Sequence, residues 1–388
     1  MTVYNIIYFT VWLLALLSYC KGFSSNALYR VQSLIIILFA SIRFQTGYDW
    51  PVYEEHYNSL SSGSVFSLSF EFGYEYIVRV FNYLGISFPV FSFFITFIQV
   101  FLITKSIKFF FPKHSLLILA TMYALPDFYL IPVFSLMRQG MAVSLFFWGM
   151  SLYFSHKKKL SYMAFFLAVS FHYSTLSILL LVFLLFKFTS RRSVYLTVFS
   201  ISIIAYLLSI DMIGWIGSII LPMVGDKYSI YLERDVYNAS LVYRLCYSLA
   251  MTLFFSIIYR TCYVDDRKND NEIKFDRRIY KLAFMGIIIP VALYAFPTVS
   301  TRFQYFFSIF SIGICFHAYE IFKRNNHVII SIFLAIIFYM PFYRFLIDPL
   351  SLVYTPYQDL FFYDEDSSTG KIRTTELLNQ LHELWSKK

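Results

Sequence analysis

Apolar runs about one bilayer thick alternate with short polar loops along most of this chain. Crossing the hydrocarbon takes about 20 residues of helix. On that measure residues 4–19 and 28–42 read as two short spans, 88–111 as a full one, and 115–130 and 133–154 as two more. The last two are joined across ALPDFYLIP, where Pro126 and Pro132 break helices. Residues 160–188 are too long for one straight helix and too short for two full spans. The expectation is two short helices, re-entrant, meeting in FHYS at 171–174, a bend tolerated only where protein or a water-filled cavity covers it. Further spans are expected at 195–221, 241–258, 281–296, 303–321 and 328–346. The pattern predicts an all-α integral membrane protein, a polytopic bundle of about 11–13 transmembrane helices. It divides as a membrane domain over 1–363 and a tail over 364–388, in which Leu377, Leu378, Leu381, Leu384 and Trp385 share one helical face suited to a membrane surface.

One stretch departs from this pattern. Residues 41–75, SIRFQTGYDWPVYEEHYNSLSSGSVFSLSFEFGYE, follow directly on an apolar run and gather arginine, acids, aromatics and histidine. Within and just beyond it, Ile77, Val80, Phe81 and Leu84 recur at helical spacing beside Glu75 and Arg79, which predicts an amphipathic helix lying at the interface. Charged residues where a spanning helix meets water are costly to place and so mark candidate functional sites.

Composition agrees with the pattern and removes other classes. Of 388 residues, 59% are hydrophobic, 22% aromatic and only 14% charged, far from the quarter or so of a soluble domain. The net charge of +9 sits in short loops, where membrane orientation explains it and no nucleic-acid partner is implied. One alternating set of loops holds 20 of the 32 basic residues and is therefore cytoplasmic by the positive-inside rule. The outer loops are then about 43–87, 126–138, 171–174, 222–240, 297–305 and 349–363, with the tail. Cys20, Cys246, Cys262 and Cys315 lie in or at the ends of apolar runs without CxxC spacing, so neither disulfides nor a metal site is expected. The first apolar stretch has no basic start and no small-residue cleavage site, and is expected to remain as a helix.

Each outer feature has a plain reading beside a functional one. Arg43, Asp49, Tyr53 and Glu71 suit snorkelling and the interfacial aromatic belt as well as a site. Arg138, followed by Gln139, falls a few residues inside an apolar span and needs a partner there. His172 occupies the break in FHYS, and Arg302 with Tyr305 repeats the arginine–aromatic theme after Pro297. The acidic run around 265–276 is a solvated loop without the glycine and closing glutamate of a calcium site.

RFQTGYDWPVYEEHY, the E-x-GY of Glu71 to Tyr74, MRQGMAVSLFF from Met137, FHYS, TRFQYFF from Thr301 and YTPY at 354–357 resemble, in order and over most of the chain, the EpsG-type branch of bacterial Wzy polysaccharide polymerases. Trp50 and Pro51 depart from the more ordinary polar residues expected there. The resemblance implies a GT-C-like glycosyltransferase of the bacterial inner membrane that polymerises O-antigen, capsule or exopolysaccharide repeat units carried on undecaprenyl diphosphate, with its site facing outward. Substrate, membrane lipid and a chain-length regulator protein are the implied partners. Matching motif by motif, it points to Arg43, Asp49 and Tyr53, then Glu71 and Tyr74, Arg138 and Gln139, His172, and Arg302 and Tyr305. In such a transfer the leaving diphosphate needs cations rather than a proton, and Arg43, Arg138 and Arg302 supply forked donors without metal or cofactor. The attacking hydroxyl needs a base, for which Asp49, Glu71 and His172 are the candidates; analogy with sugar transfer in general favours a carboxylate, with Asp49 and Glu71 unranked and His172 still open. Two other functions stand beside it: a different lipid-linked-sugar transferase or ligase, which shares the outer arginines and acids and is distinguished by a single transfer in place of a ladder, and a flippase, which should carry charges deep in several spans, whereas here they collect at one face.

Overall fold

The computed structural model describes residues 1–61, 70–188, 192–210, 240–263, 270–318, 326–363 and 369–386. Regular structure among them is helical apart from an isolated β-bridge between Arg43 and Asp359. The chain forms two compact units, Met1–Leu176 with Phe322–Lys388, and Ser177–Ile321.

The first unit contains α1 (Thr2–Leu17), α2 (Ser25–Ser41), α3 (Trp50–Ser61), α4 (Phe72–Tyr83), α5 (Phe88–Phe110), α6 (Ser115–Ala124), a π-helical turn (Ile131–Ser135), α7 (Met137–Phe154) and α8 (Lys158–Phe171). A break at His172 and Tyr173 leads into α9 (Ser174–Phe188). The second unit continues through α10 (Arg192–Leu207), α11 (Leu241–Tyr263), α12 (Asp270–Ala292), α13 (Pro297–Gln304), a short 3-10 turn (Tyr305–Phe307) and α14 (Ser308–Ala318). The chain then returns to the first unit with α15 (His327–Ile347) and the tail helix α16 (Gly370–Ser386).

Local chemistry sets several of these ends. Ser24 caps α2, its hydroxyl accepting from the Ala27 N–H. Pro51 and Pro89 stand in the first turns of α3 and α5, where a missing N–H costs nothing. Of the described helices, α5 and α15 are both long and apolar enough to cross a membrane; α1 and α6 are apolar but shorter. The outward faces are apolar too. Ile6, Phe9 and Leu13 on α1, and Ile329, Phe333, Ile336 and Met340 on α15, are each more than half exposed. In water such faces would be aggregation surfaces, whereas lipid tails accommodate them.

Inside the first unit, tyrosine hydroxyls join the helices by donating to backbone carbonyls: Tyr4 to Tyr354 (2.7 Å), Tyr123 to Tyr4 (3.0 Å), Tyr129 to Ile36 (2.9 Å) and Tyr357 to Phe39 (2.7 Å). An apolar interior admits polar groups on this condition of internal pairing. Arg43 obeys the same rule. It is 1% exposed, donates to Ala40 O (2.9 Å), Thr96 Oγ1 (2.6 Å) and Phe134 O (3.4 Å), and lies against the rings of Trp50 and Phe134. Gly47 follows with φ +116°, its Cα so near Phe134 that an added Cβ would meet the carbonyl oxygen at 2.3 Å.

Three expectations change. Residues 50–61 form a helix that the polar pattern did not announce. The span expected from 133 begins at Met137, because Pro132 and the π-helical turn interrupt it, so Arg138 stands in the first turn of α7 rather than inside a helix. The tail is not a separate surface segment at its start. Gly370 N donates to Gln45 Oε1 (2.8 Å), and buried Arg373 donates to Pro356 O (3.0 Å), Gln358 Oε1 (3.0 Å) and Gln45 O, since the N–H donors of a guanidinium out of water must find acceptors locally. The break at 171–174 and the helix beginning near Gly73 stand where the sequence places them. The expected loop at 222–239, the 195–221 span beyond Ile210, the loop at 264–269 and the side chains of Leu381, Leu384 and Trp385 lie outside the described residues.

Gly47→Ala should lower the melting temperature of the purified protein in detergent, read by tryptophan fluorescence. The left-handed backbone alone costs about 1–3 kcal/mol for a side-chain-bearing residue, before the clash with Phe134.

Candidate functional site

The centre of the site is the carboxylate of Glu71. This residue precedes α4 in extended conformation, and its side chain makes no capping bond to its own helix. It turns instead to two other elements. Arg138 Nη1 donates to its Oε2, and His172 Nδ1 lies 2.8 Å from its Oε1. Arg138 stands at the start of α7, where the helix dipole disfavours a cation, and His172 closes α8, its extended backbone (φ −158°, ψ 113°) turning the chain away. A carboxylate between them answers both.

Close packing sets the distances. Gly73 sits on Ser170, so near that a Cβ would fall 2.7 Å from the serine Cβ, and this brings the start of α4 against the end of α8. Below lies an apolar core that includes Trp50, Tyr57, Phe88, Phe91, Met141, Leu145 and Phe171. Glu71 is 7% exposed. Burial by itself would raise its carboxyl, but the His172 hydrogen bond and the Arg138 charge prevail and hold it at about 2.

The cluster extends outward from Arg138. Its Nε donates to the Tyr53 hydroxyl (3.3 Å), and its guanidinium carbon lies 4.1 Å from the centre of the Phe70 ring. Burial, reinforced by the Asp49 charge, pushes the Tyr53 phenol up to about 12, so at neutral pH it is a neutral group. Asp49 begins this edge, half-buried, one turn before Tyr53 on the backbone that enters α3. Tyr74 is fully buried, with its hydroxyl on Met137 Sδ at 3.8 Å, and Gln139 is buried beside it in sequence with Arg138. The side chains of Arg138 and His172 keep 23% and 15% exposure, enough for the outer edge of each to meet a ligand. Among the described residues no three His, Cys, Asp or Glu side chains gather as a metal-ligand set.

A family model, that of the EpsG family, matches residues 26–358, which is most of the chain and includes every element just described except α1, the first residue of α2 and α16. The chain belongs to the EpsG family. No curated protein and no solved structure matches it. EpsG membership points in general to a Wzy-like polysaccharide polymerase in a membrane, which agrees with the apolar helices.

In this EpsG chain the structure gathers Glu71, Arg138, His172 and Tyr53 into one network, with Asp49 and Tyr74 beside it, while Gln139, next to Arg138 in sequence, is buried. Arg43 is not in it. Its partners are two carbonyls and a hydroxyl, none a carboxylate, and it braces the loop entering α3. Burial draws its guanidinium down to about 10, still charged at neutral pH. Arg302, half-buried in α13, and Tyr305, buried after it, belong to the second unit. Sequence reasoning passed over Phe70, His56 and Glu75. A buried acid and a histidine 19 positions apart become visible as partners only when α3 is known to be a helix.

The low carboxyl of Glu71 makes a pH prediction. A group whose folded value (about 2) lies below its ordinary value (4.5) adds stability that is complete above the ordinary range and is lost as pH falls from about 4.5 towards 2. Glu71→Gln should therefore melt lower than the parent at pH 7, and the gap should close across that acid window in a detergent melting series.

Proposed function

We propose that this chain is a glycan polymerase that moves a growing sugar chain from undecaprenyl diphosphate to a hydroxyl of another lipid-linked repeat unit, at the outer face of the inner membrane. The observation that carries this is the joining of Arg138 and His172 through one carboxylate, a cation and an imidazole held side by side at the start of α7 and the end of α8, each side chain keeping part of its surface exposed. Family membership supplies the reaction class.

The roles follow from the geometry. The acceptor hydroxyl attacks the anomeric carbon, the bond from that carbon to the phosphate oxygen breaks, and its electron pair leaves on the diphosphate. Arg138 faces the growing negative charge on that leaving group, since a guanidinium pinned through Nη1 and Nε is already oriented for phosphate. Glu71 is a poor proton acceptor at neutral pH, because its partners hold the carboxyl at about 2. It serves better as the orienter of His172. A carboxylate at Nδ1 selects the tautomer with a free Nε2, which takes the hydroxyl proton. Among the three candidate bases this favours His172 over the carboxylate that analogy suggested, with Asp49 next across Tyr53. Tyr53 and Tyr74 wall the site, and outward apolar faces are available to the polyprenyl tail.

In a strain lacking its own polymerase, Arg138→Ala and His172→Gln should each abolish the glycan ladder while leaving one repeat unit attached to its final acceptor, with normal expression. A full ladder from Arg138→Ala sinks the mechanism. A full ladder from His172→Gln with none from Asp49→Asn moves the base to Asp49, and a single long transferred chain from the parent protein identifies a ligase. Orientation has its own test: a cysteine at Tyr83, 91% exposed at the end of α4, should react in intact cells with an impermeant thiol reagent, and protection there reverses the assignment.

A further inference from the structure

We propose that His56 and Glu75 are positioning residues for Arg138, acting through the ring of Phe70; this deepens the polymerase reading above and rests on it. Two hydrogen bonds hold the guanidinium, Nη1 to Glu71 and Nε to Tyr53. Both lie in its plane, so they fix where its edge points and leave its tilt to whatever lies against the face. That surface is Phe70, 4.1 Å from the guanidinium carbon, with Tyr53 more distant at 5.8 Å.

Phe70 lies outside any helix, so its backbone N–H has no helical partner. The N–H donates to Glu75 Oε1 (3.1 Å), one turn into α4. His56, on α3, supports the ring directly, edge to face at 4.6 Å between centroids, and its Nε2 lies 3.0 Å from the same Glu75 oxygen. Tyr53 and Tyr74 close the remaining sides of the ring at 5.8 and 5.7 Å. Glu75 is thus a carboxylate 1% exposed, with Oε2 lacking a hydrogen bond among the described residues and the Arg79 guanidinium 3.9 Å away. A buried acid this incompletely satisfied is expensive, and an apolar side chain would pack α3 on α4 at lower cost. What an apolar residue could not do is hold the Phe70 backbone and the His56 ring at one point. The chain of contact runs from His56 and Glu75 to Phe70 and from Phe70 to Arg138, whose tilt decides how it meets a phosphate.

The experiment uses the full chain purified in detergent, with undecaprenyl-diphosphate repeat units extracted from a strain lacking its polymerase. Phe70→Leu, Glu75→Gln and His56→Gln should keep KM within about twofold and lower kcat per folded molecule by roughly ten- to a hundredfold, because a tilted guanidinium fails the leaving group rather than the bound substrate. Phe70→Tyr, which keeps the ring face, should restore most of the rate. The double variant Phe70→Leu with Glu75→Gln should be no slower than the slower single, as expected of one chain of contact. Variants that melt like the parent and turn over like it overturn the proposal, as does a loss confined to KM or to the amount of folded protein. Should Glu75→Gln fail to fold, Phe70→Leu against Phe70→Tyr decides alone. An active Arg138→Ala would defeat the polymerase mechanism itself. An inactive Arg138→Ala beside a fully active Phe70→Leu defeats this inference only.

Discussion

A carboxylate with two partners governs this molecule. Glu71 is nearly out of water, and a charge in that position persists only where cations and donors meet it. Its answer comes from the first turn of α7 and the residue that caps the end of α8, so three separate helix ends converge on one point. Much nearby packing serves that convergence: Gly73 allows α4 to touch Ser170, and the break after Leu136 frees Arg138 from a helix interior.

Arg43 shows the same physics without the opening to water. With its two terminal nitrogens bonded to Ala40, Thr96 and Phe134, and two rings beside the guanidinium, it ties the end of α2 to α5 and to the π-helical turn. Beside it, residues 353–360 run along the loop after α2, with Phe44 N on Gln358 O at 2.9 Å and Leu360 N on Ile42 O at 2.8 Å. Arg373 then closes the same loop from the tail helix. Two buried arginines therefore hold the loop in place, while a third, Arg138, keeps an exposed edge. In a medium that cannot solvate charge, exposure separates a brace from a reagent.

The placement of the pair also separates acid from base. A carboxylate at about 2 is a fixed negative charge across physiological pH, useful for orienting an imidazole and neutralising an arginine, and unsuited to accepting a proton. Glu71, capping α4, and Glu75, one turn into it, each meet a histidine and an arginine, but Glu71 touches the arginine that keeps an exposed edge and Glu75 holds the backbone of the ring beneath it.

Hydrophobic periodicity by itself determined the helical class, most helix positions and the break at FHYS, because runs of apolar residues have one economical conformation in lipid and Pro, Gly and charge interrupt it locally. The motifs also singled out Glu71, Arg138 and His172 as residues out of keeping with their surroundings. Only the tertiary structure decided what they do to one another. The separation of 67 residues between Glu71 and Arg138, and of 101 between Glu71 and His172, leaves no local signal of contact, since pairing across helices depends on how their faces pack. For the same reason Arg43, alike in sequence terms, turned inward to carbonyls, and α3 became a helix although its polar face masked the period that packs Tyr53, His56 and Tyr57 against α4 and α5.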